Sequence, residues 1–193
     1  MNDLKLYMLL LGCKPKGRHT EQHDIFFGIG SSLKDLVPDI INFWPEAEGR
    51  IHLDAWREVS YVGQFEIKIQ PREETQETEN LLNNNQLFFI NLGGYKEDDF
   101  EEYHYKMIVA AKDKGEAIAT AKQTAFYKHT GFKGADSHID DKYGIDVDDL
   151  YRIEDILPEH LKKKYSIIVT PQENSHKDKI NLGYFILSKI VEG

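Results

Sequence analysis

Two short patterns of ionisable residues each occur twice in the chain. Glu-x-His appears as Glu21/His23 and Glu102/His104, and His-x-Asp as His52/Asp54 and His138/Asp140. On an extended strand residues i and i+2 share a face, so each pattern aims two titratable side chains the same way. If the strands that carry them are neighbours, two imidazoles and two carboxylates converge in each half. Imidazole plus carboxylate suits a divalent ion such as Zn, Mn or Fe, and it also suits a histidine oriented by a carboxylate for general-base work. A structural hydrogen-bond network is the competing reading, because buried polar groups must find partners. His19 adds a further ligand candidate beside the first set. The run His-Thr-Glu-Gln-His is not the helical metalloprotease pattern, since its Glu is in the wrong place and no helix period surrounds it.

The elements that must position these residues come in two sets. The stretch LYMLLLGCKPKGRHTEQHD from Leu6 returns as LFFINLGGYKEDDFEEYHY from Leu87, with Gly12 on Gly93, Glu21 on Glu102 and His23 on His104. This is the mark of an internal duplication. Leu4 to Leu11 is a short apolar run closed by Gly12, which fits a buried strand, and Asp24 to Gly30 forms a second strand after a polar loop. Ser32 with Asp35 reads as a helix cap. Leu33, Leu36, Val37, Ile40, Ile41 and Trp44 then make one apolar stripe at helical spacing. Pro38 interrupts it, so the expectation is a kink or a helix beginning near Asp35. Arg50 to Val59 and Phe65 to Pro71 alternate as third and fourth strands. The second copy repeats the order with a slimmer helix face, Ala117, Ile118, Ala121 and Ala125. It carries an insertion before His138, a solvated acidic turn over Asp136 to Asp149, and a short helix over Pro158 to Lys164. A closing strand is expected over Tyr184 to Ile190.

The expected fold is therefore α+β: two tandem β-β-α-β-β repeats about a pseudo-twofold axis, with largely antiparallel sheets and helices on one face. Repeat one spans 1–71, a polar linker 72–86, repeat two 87–171, and a spacer with the C-terminal strand 172–193.

Composition limits the partners. With 40% hydrophobic and 11% aromatic residues the chain can bury a core. A net charge of -9 with scattered bases gives no footprint for nucleic acid or an anionic membrane. No apolar run approaches the ~20 residues of a membrane span. The single cysteine, Cys13, fits a reducing compartment, so a cytoplasmic protein is expected, with a protein partner or a second copy of itself. Cys13 itself reads as a buried, inert thiol. The glycines of Gly28-Ile29-Gly30-Ser31-Ser32 serve the strand-to-helix turn in preference to holding a phosphate.

Leu11-Gly12, Glu21-Gln22-His23-Asp24 and His52-Leu53-Asp54-Ala55-Trp56, with their weaker second set, resemble the family catalogued as domain of unknown function 1543. The resemblance extends over nearly the whole chain and implies one or two copies of such a unit, with no activity and no catalytic residues attached. Two function classes follow from the residues. The first is a non-enzymatic binding or interaction protein; the alternative is a metal-dependent, hydrolase-like enzyme using Glu21, His23, His52 and Asp54.

Overall fold

The computed structural model describes residues 3–72, 85–95, 100–123 and 146–192. The fold is mixed α+β, and every strand pair among the described residues is antiparallel. The chain divides into two compact units, Met1–Glu77 with Leu157–Gly193, and Thr78–Ile156.

In the first unit the apolar run becomes β1 (Lys5–Cys13), which pairs with β2 (Gln22–Gly30) and β3 (His52–Glu58). On one face of β1 Tyr7, Leu9, Leu11 and Cys13 pack into the core with the helix that follows β2, and Leu6 on the other face is also buried, which is why the sequence of β1 is almost continuously apolar. Helix α1 (Leu33–Phe43) follows β2 and presses Leu36, Val37 and Ile40 onto Tyr7, Leu9, Leu11, Phe26 and Leu53. The Asp35 carboxylate accepts hydrogen bonds from the backbone of Ser31 and Ser32 and from the Ser31 hydroxyl. That carboxylate takes the N–H groups an anion would use. The helix starts at Leu33, earlier than the Asp35 that Pro38 suggests. Pro38 is exposed in the second turn, so the carbonyl it leaves without a helical partner lies on the solvent side.

Sequence order and contact part company after β3. Strands β4 (Tyr61–Val62) and β5 (Phe65–Pro71) leave the first sheet, and β5 pairs along its full length with β9 (Tyr165–Pro171) to give the order β4-β5-β9. Two strands far apart in sequence are thus hydrogen-bonded neighbours. A further strand, β10 (Asn181–Ile186), adds to β3 and completes the order β10-β3-β1-β2. The closing strand stops at Ile186, short of the expected Ile190, and gives way to a helix, Leu187–Glu192. Leu187 and Ile190 share one face at helical spacing and both pack on the first core, which decides the conformation.

The second unit holds β6 (Gln86–Tyr95), β7 (Glu102–Ala111) and β8 (Asp146–Arg152) in the order β7-β6-β8, the frame of β2-β1-β3. Helix α2 (Lys114–Gln123) covers it with Ala117 and Ala121. At its start Glu116 donates its backbone N–H to the Asp113 carboxylate, and its own carboxylate accepts from the Lys112 N–H. Ala125 lies outside the described residues. The segment expected to be an acidic turn ends differently: Asp146 onward is strand, because Val147 and Leu150 pack against the second core. After β8 come two short helices, α3 (Ile153–Ile156) and α4 (Glu159–Lys164), so the C-terminal helix Leu187–Glu192 is α5. No helix among the described residues is long and apolar enough to cross a membrane.

Candidate metal centres on two sheets

The register of β1 fixes the first cluster. Gly12 faces His23 on β2 and His52 on β3, so both imidazoles flank one residue that has no side chain. Between the pairs Leu10–Ala55 and Leu11–Leu53 the register slips, leaving Asp54 as the bulged residue. A bulge re-aims its side chain. Here it brings Asp54 beside both histidines, 3.2 Å from His23 Nε2 and 3.3 Å from His52 Nε2. Glu21, immediately before β2, reaches the same pair from the other side, with Oε1 3.0 Å from His52 Nε2 and Oε2 3.9 Å from His23 Nε2. Each carboxylate therefore offers one oxygen to each imidazole.

Glycine at position 12 is required by this crowding. A Cβ there would lie 2.4 Å from His52 Nε2 and 2.7 Å from Asp54 Oδ2. His52 is buried, its side chain only 7% exposed, and Tyr184 of β10 covers it with ring centroids 4.1 Å apart. Glu21 and His23 remain 43% and 44% exposed, so the cluster opens to solvent on their side. His52 Nε2 and Asp54 Oδ2 are shut off from solvent, and neither has a hydrogen-bond partner despite the short distances. The groups are close, but they are not aligned as a hydrogen bond requires. His19 is exposed in the turn before β2 and makes no ion pair among the described residues.

The second sheet repeats the geometry with a different third strand. Gly93 faces His104 on β7 and Asp146 on β8, and the register slips between Asn91 and Leu92, leaving Asp148 as the bulged residue. His104 Nε2 is 3.2 Å from Asp148 Oδ2 and 3.8 Å from Glu102 Oε2. One ligand atom from each of Glu102, His104 and Asp148 lies within 4.8 Å of the other two. A Cβ on Gly93 would meet Asp148 Oδ2 at 2.3 Å, as one on Gly12 would meet Asp54 and His52.

His138 and Asp140, assigned to the second set from the sequence, lie outside the described residues. Opposite Gly93 the described third strand carries Asp146, and Asp148 is its bulged residue. The signal was present: Asp146-Val147-Asp148-Asp149-Leu150 keeps the apolar residues that match Leu53 and Trp56, whereas the alternative puts Lys142 in the place of Trp56. Tyr184 had no such signal, since its contact with His52 depends on β10 joining β3.

The reading of Cys13 as a buried, inert thiol also meets the structure. Cys13 is fully buried, and burial pushes its thiol up, away from the reactive thiolate. Tyr7 is also pushed up, to about 12, by burial and by neighbouring Glu58.

The Domain of Unknown Function (DUF1543) family model matches residues 18–69, which include Glu21, His23, His52 and Asp54. No curated protein matches the chain. The chain is similar to the crystal structure of a protein Il1583 from Idiomarina loihiensis, with a TM-score of 0.60, 19% identity, and coverage of 96% of this chain and 98% of that one. At that identity the likeness concerns the fold alone. None of these comparisons attaches an enzymatic function to the chain.

Proposed function

We propose that the protein is a divalent-metal-binding protein whose first unit holds one ion between His23 Nε2, His52 Nε2 and the carboxylates of Glu21 and Asp54. The observation that carries the reading is the buried His52 Nε2, 3.0 Å from Glu21 Oε1 and 3.3 Å from Asp54 Oδ1 without a hydrogen bond. Four ligands about 2.0–2.2 Å from a tetrahedral ion stand ~3.4 Å from one another. The four histidine–carboxylate separations, 3.0 to 3.9 Å, lie around that spacing. An ion would have to draw the remaining donor pairs closer, because among the described residues the group whose ligand atoms all stand within 4.8 Å of one another is Glu102, His104 and Asp148 of the second unit. A charge-assisted hydrogen-bond network would instead draw its atoms to about 2.7–2.9 Å with aligned donors. Tyr184 against the imidazole and Gly12 beneath it hold His52 in place, the role that supporting residues play around metal ligands.

The two units are read as products of one duplication. Support comes from the matching strand frames and matching bulges, and from the pairing of β5 with β9. Phe65 pairs with Pro171 and Pro71 with Tyr165 about the Lys68–Ile168 pair, so the ladder maps onto itself when the two strands are exchanged, as a local twofold between them requires.

The metal reading is tested by metal content of the purified protein and by thermal unfolding with added ZnCl2, for the wild type and a His23→Ala/His52→Ala variant. Stabilisation of the wild type that the variant lacks supports it; identical behaviour of the two refutes it. A hydrolase is the second reading, favoured by the exposure of Glu21 and His23. An ion with one position open to solvent lowers the pKa of bound water toward ~7. Zn-dependent turnover of p-nitrophenyl esters or phosphates, lost in the same variant, would select it over simple binding.

A further inference from the structure

We infer that the two units prefer different classes of divalent ion, the first a borderline, imidazole-seeking ion of the Zn type and the second a harder, oxygen-seeking ion of the Mn type. This rests on the metal reading of the first unit and extends it to the second. The difference arises at one position of a shared frame. Gly12 faces His52, and Gly93 faces Asp146. The first cluster therefore offers two imidazoles and two carboxylates, while the second gathers one imidazole, His104, with the carboxylates of Glu102 and Asp148. Imidazole suits Zn, Cu and Ni, whereas carboxylate and water suit Mn and Mg.

The surroundings point the same way. In the first sheet β10 lies outside β3 and places Tyr184 over His52, which excludes water from one side. In the second sheet β8 is the edge strand among the described residues. The side chains of Glu102, His104 and Asp148 are 40%, 34% and 26% exposed, much as Glu21, His23 and Asp54 are at 43%, 44% and 28%, so the first cluster differs in its buried fourth member, His52. Mn and Mg retain several waters in octahedral shells, which an open cluster of three protein ligands permits. A Zn ion satisfied by four protein ligands needs none.

Isothermal titration of the full chain with ZnCl2 and, separately, MnCl2 tests the division, with Mn EPR to count bound ions. Three proteins are compared: the wild type, His52→Asp and Asp148→Asn. The ratio of Zn to Mn affinity is expected to be at least about tenfold higher at the site that His52→Asp alters than at the site lost in Asp148→Asn, and His52→Asp is expected to lower it toward the second site's value. Asp148→Asn, a near-isosteric change on a partly exposed side chain, keeps the test intact if circular dichroism finds His52→Asp unfolded. Zn bound in the first unit with Mn unaffected by Asp148→Asn, or the same ratio at both sites, overturns the division and leaves the first site standing. Absence of binding by either ion overturns the division and the metal reading together.

Discussion

The two sheets use one frame to hold clusters that differ in depth and donors. In both, a glycine on the central strand faces a histidine on one neighbour, and a bulged aspartate on the other neighbour swings toward it. Both trios are partly exposed to a similar degree, and the first adds His52, buried beneath Tyr184. The backbone therefore decides where polar side chains meet, and the strand added outside β3 buries one of them. The helices differ in the same sense: α1 presents Leu36, Val37 and Ile40, while α2 presents Ala117 and Ala121. Full burial of a large aliphatic side chain contributes about 1.5–3 kcal/mol, so the first unit draws far more from its helix.

The sharpest way to break that asymmetry is Ile40→Ala. Ile40 is 1% exposed, and its truncation is expected to cost about 2–5 kcal/mol in denaturant unfolding. A loss below about 1 kcal/mol would mean that α1 contributes no more than α2.

The glycines come next. Gly12→Ala drives a Cβ into a buried imidazole ring held by Tyr184, and an overpacking cost of about 1–3 kcal/mol is expected. Gly93→Ala meets only the carboxylate end of Asp148, which can swing into solvent, so less than about 1 kcal/mol is expected. Equal costs in the same unfolding experiment would contradict the difference in burial.

The smallest effect concerns the start of α1. The Ser31 hydroxyl, then the Ser31 and Ser32 amides, hold the Asp35 carboxyl below its ordinary value of 3.8. A depressed carboxylate stabilises the fold above its unfolded pKa, and that contribution is lost as pH falls through the folded value. Asp35→Asn is expected to cost about 0.5–1 kcal/mol at neutral pH and progressively less below pH ~4. Stability curves of wild type and variant that stay parallel down to pH ~2 would show that the cap carries no charge-dependent contribution.

Much of the frame was legible in the sequence because its signals are local. The apolar run of β1, the cap at Ser32 and Asp35, and the alternation of β3 and β5 each declare themselves within ten or so residues. Glu21, His23, His52 and Asp54 were legible as types and spacing, and the structure brings all four together. What escaped depends on contacts between distant segments. The third strand of the second unit could be placed by His138 or by the pattern around Val147; the apolar match favours the second, and the packing of Val147 and Leu150 is what the structure adds. The union of β5 with β9, the seat of β10 beside β3 and the cover of Tyr184 over His52 are likewise invisible to any local window. The bulges at Asp54 and Asp148 shift register by one residue, which no alternation pattern announces.

The central claim is the ion in the first unit, and thermal unfolding with and without ZnCl2 tests it most directly. At ~100 times the dissociation constant a ligand of the native state adds about 2.7 kcal/mol. At ~2–4 °C per kcal/mol for a chain of this size, Tm should rise by several degrees. The wild type is expected to show that rise and His23→Ala/His52→Ala to lose it. A wild type whose Tm does not move with Zn, Mn, Co or Ni would contradict the account and leave the four side chains as a structural cluster at the strand ends.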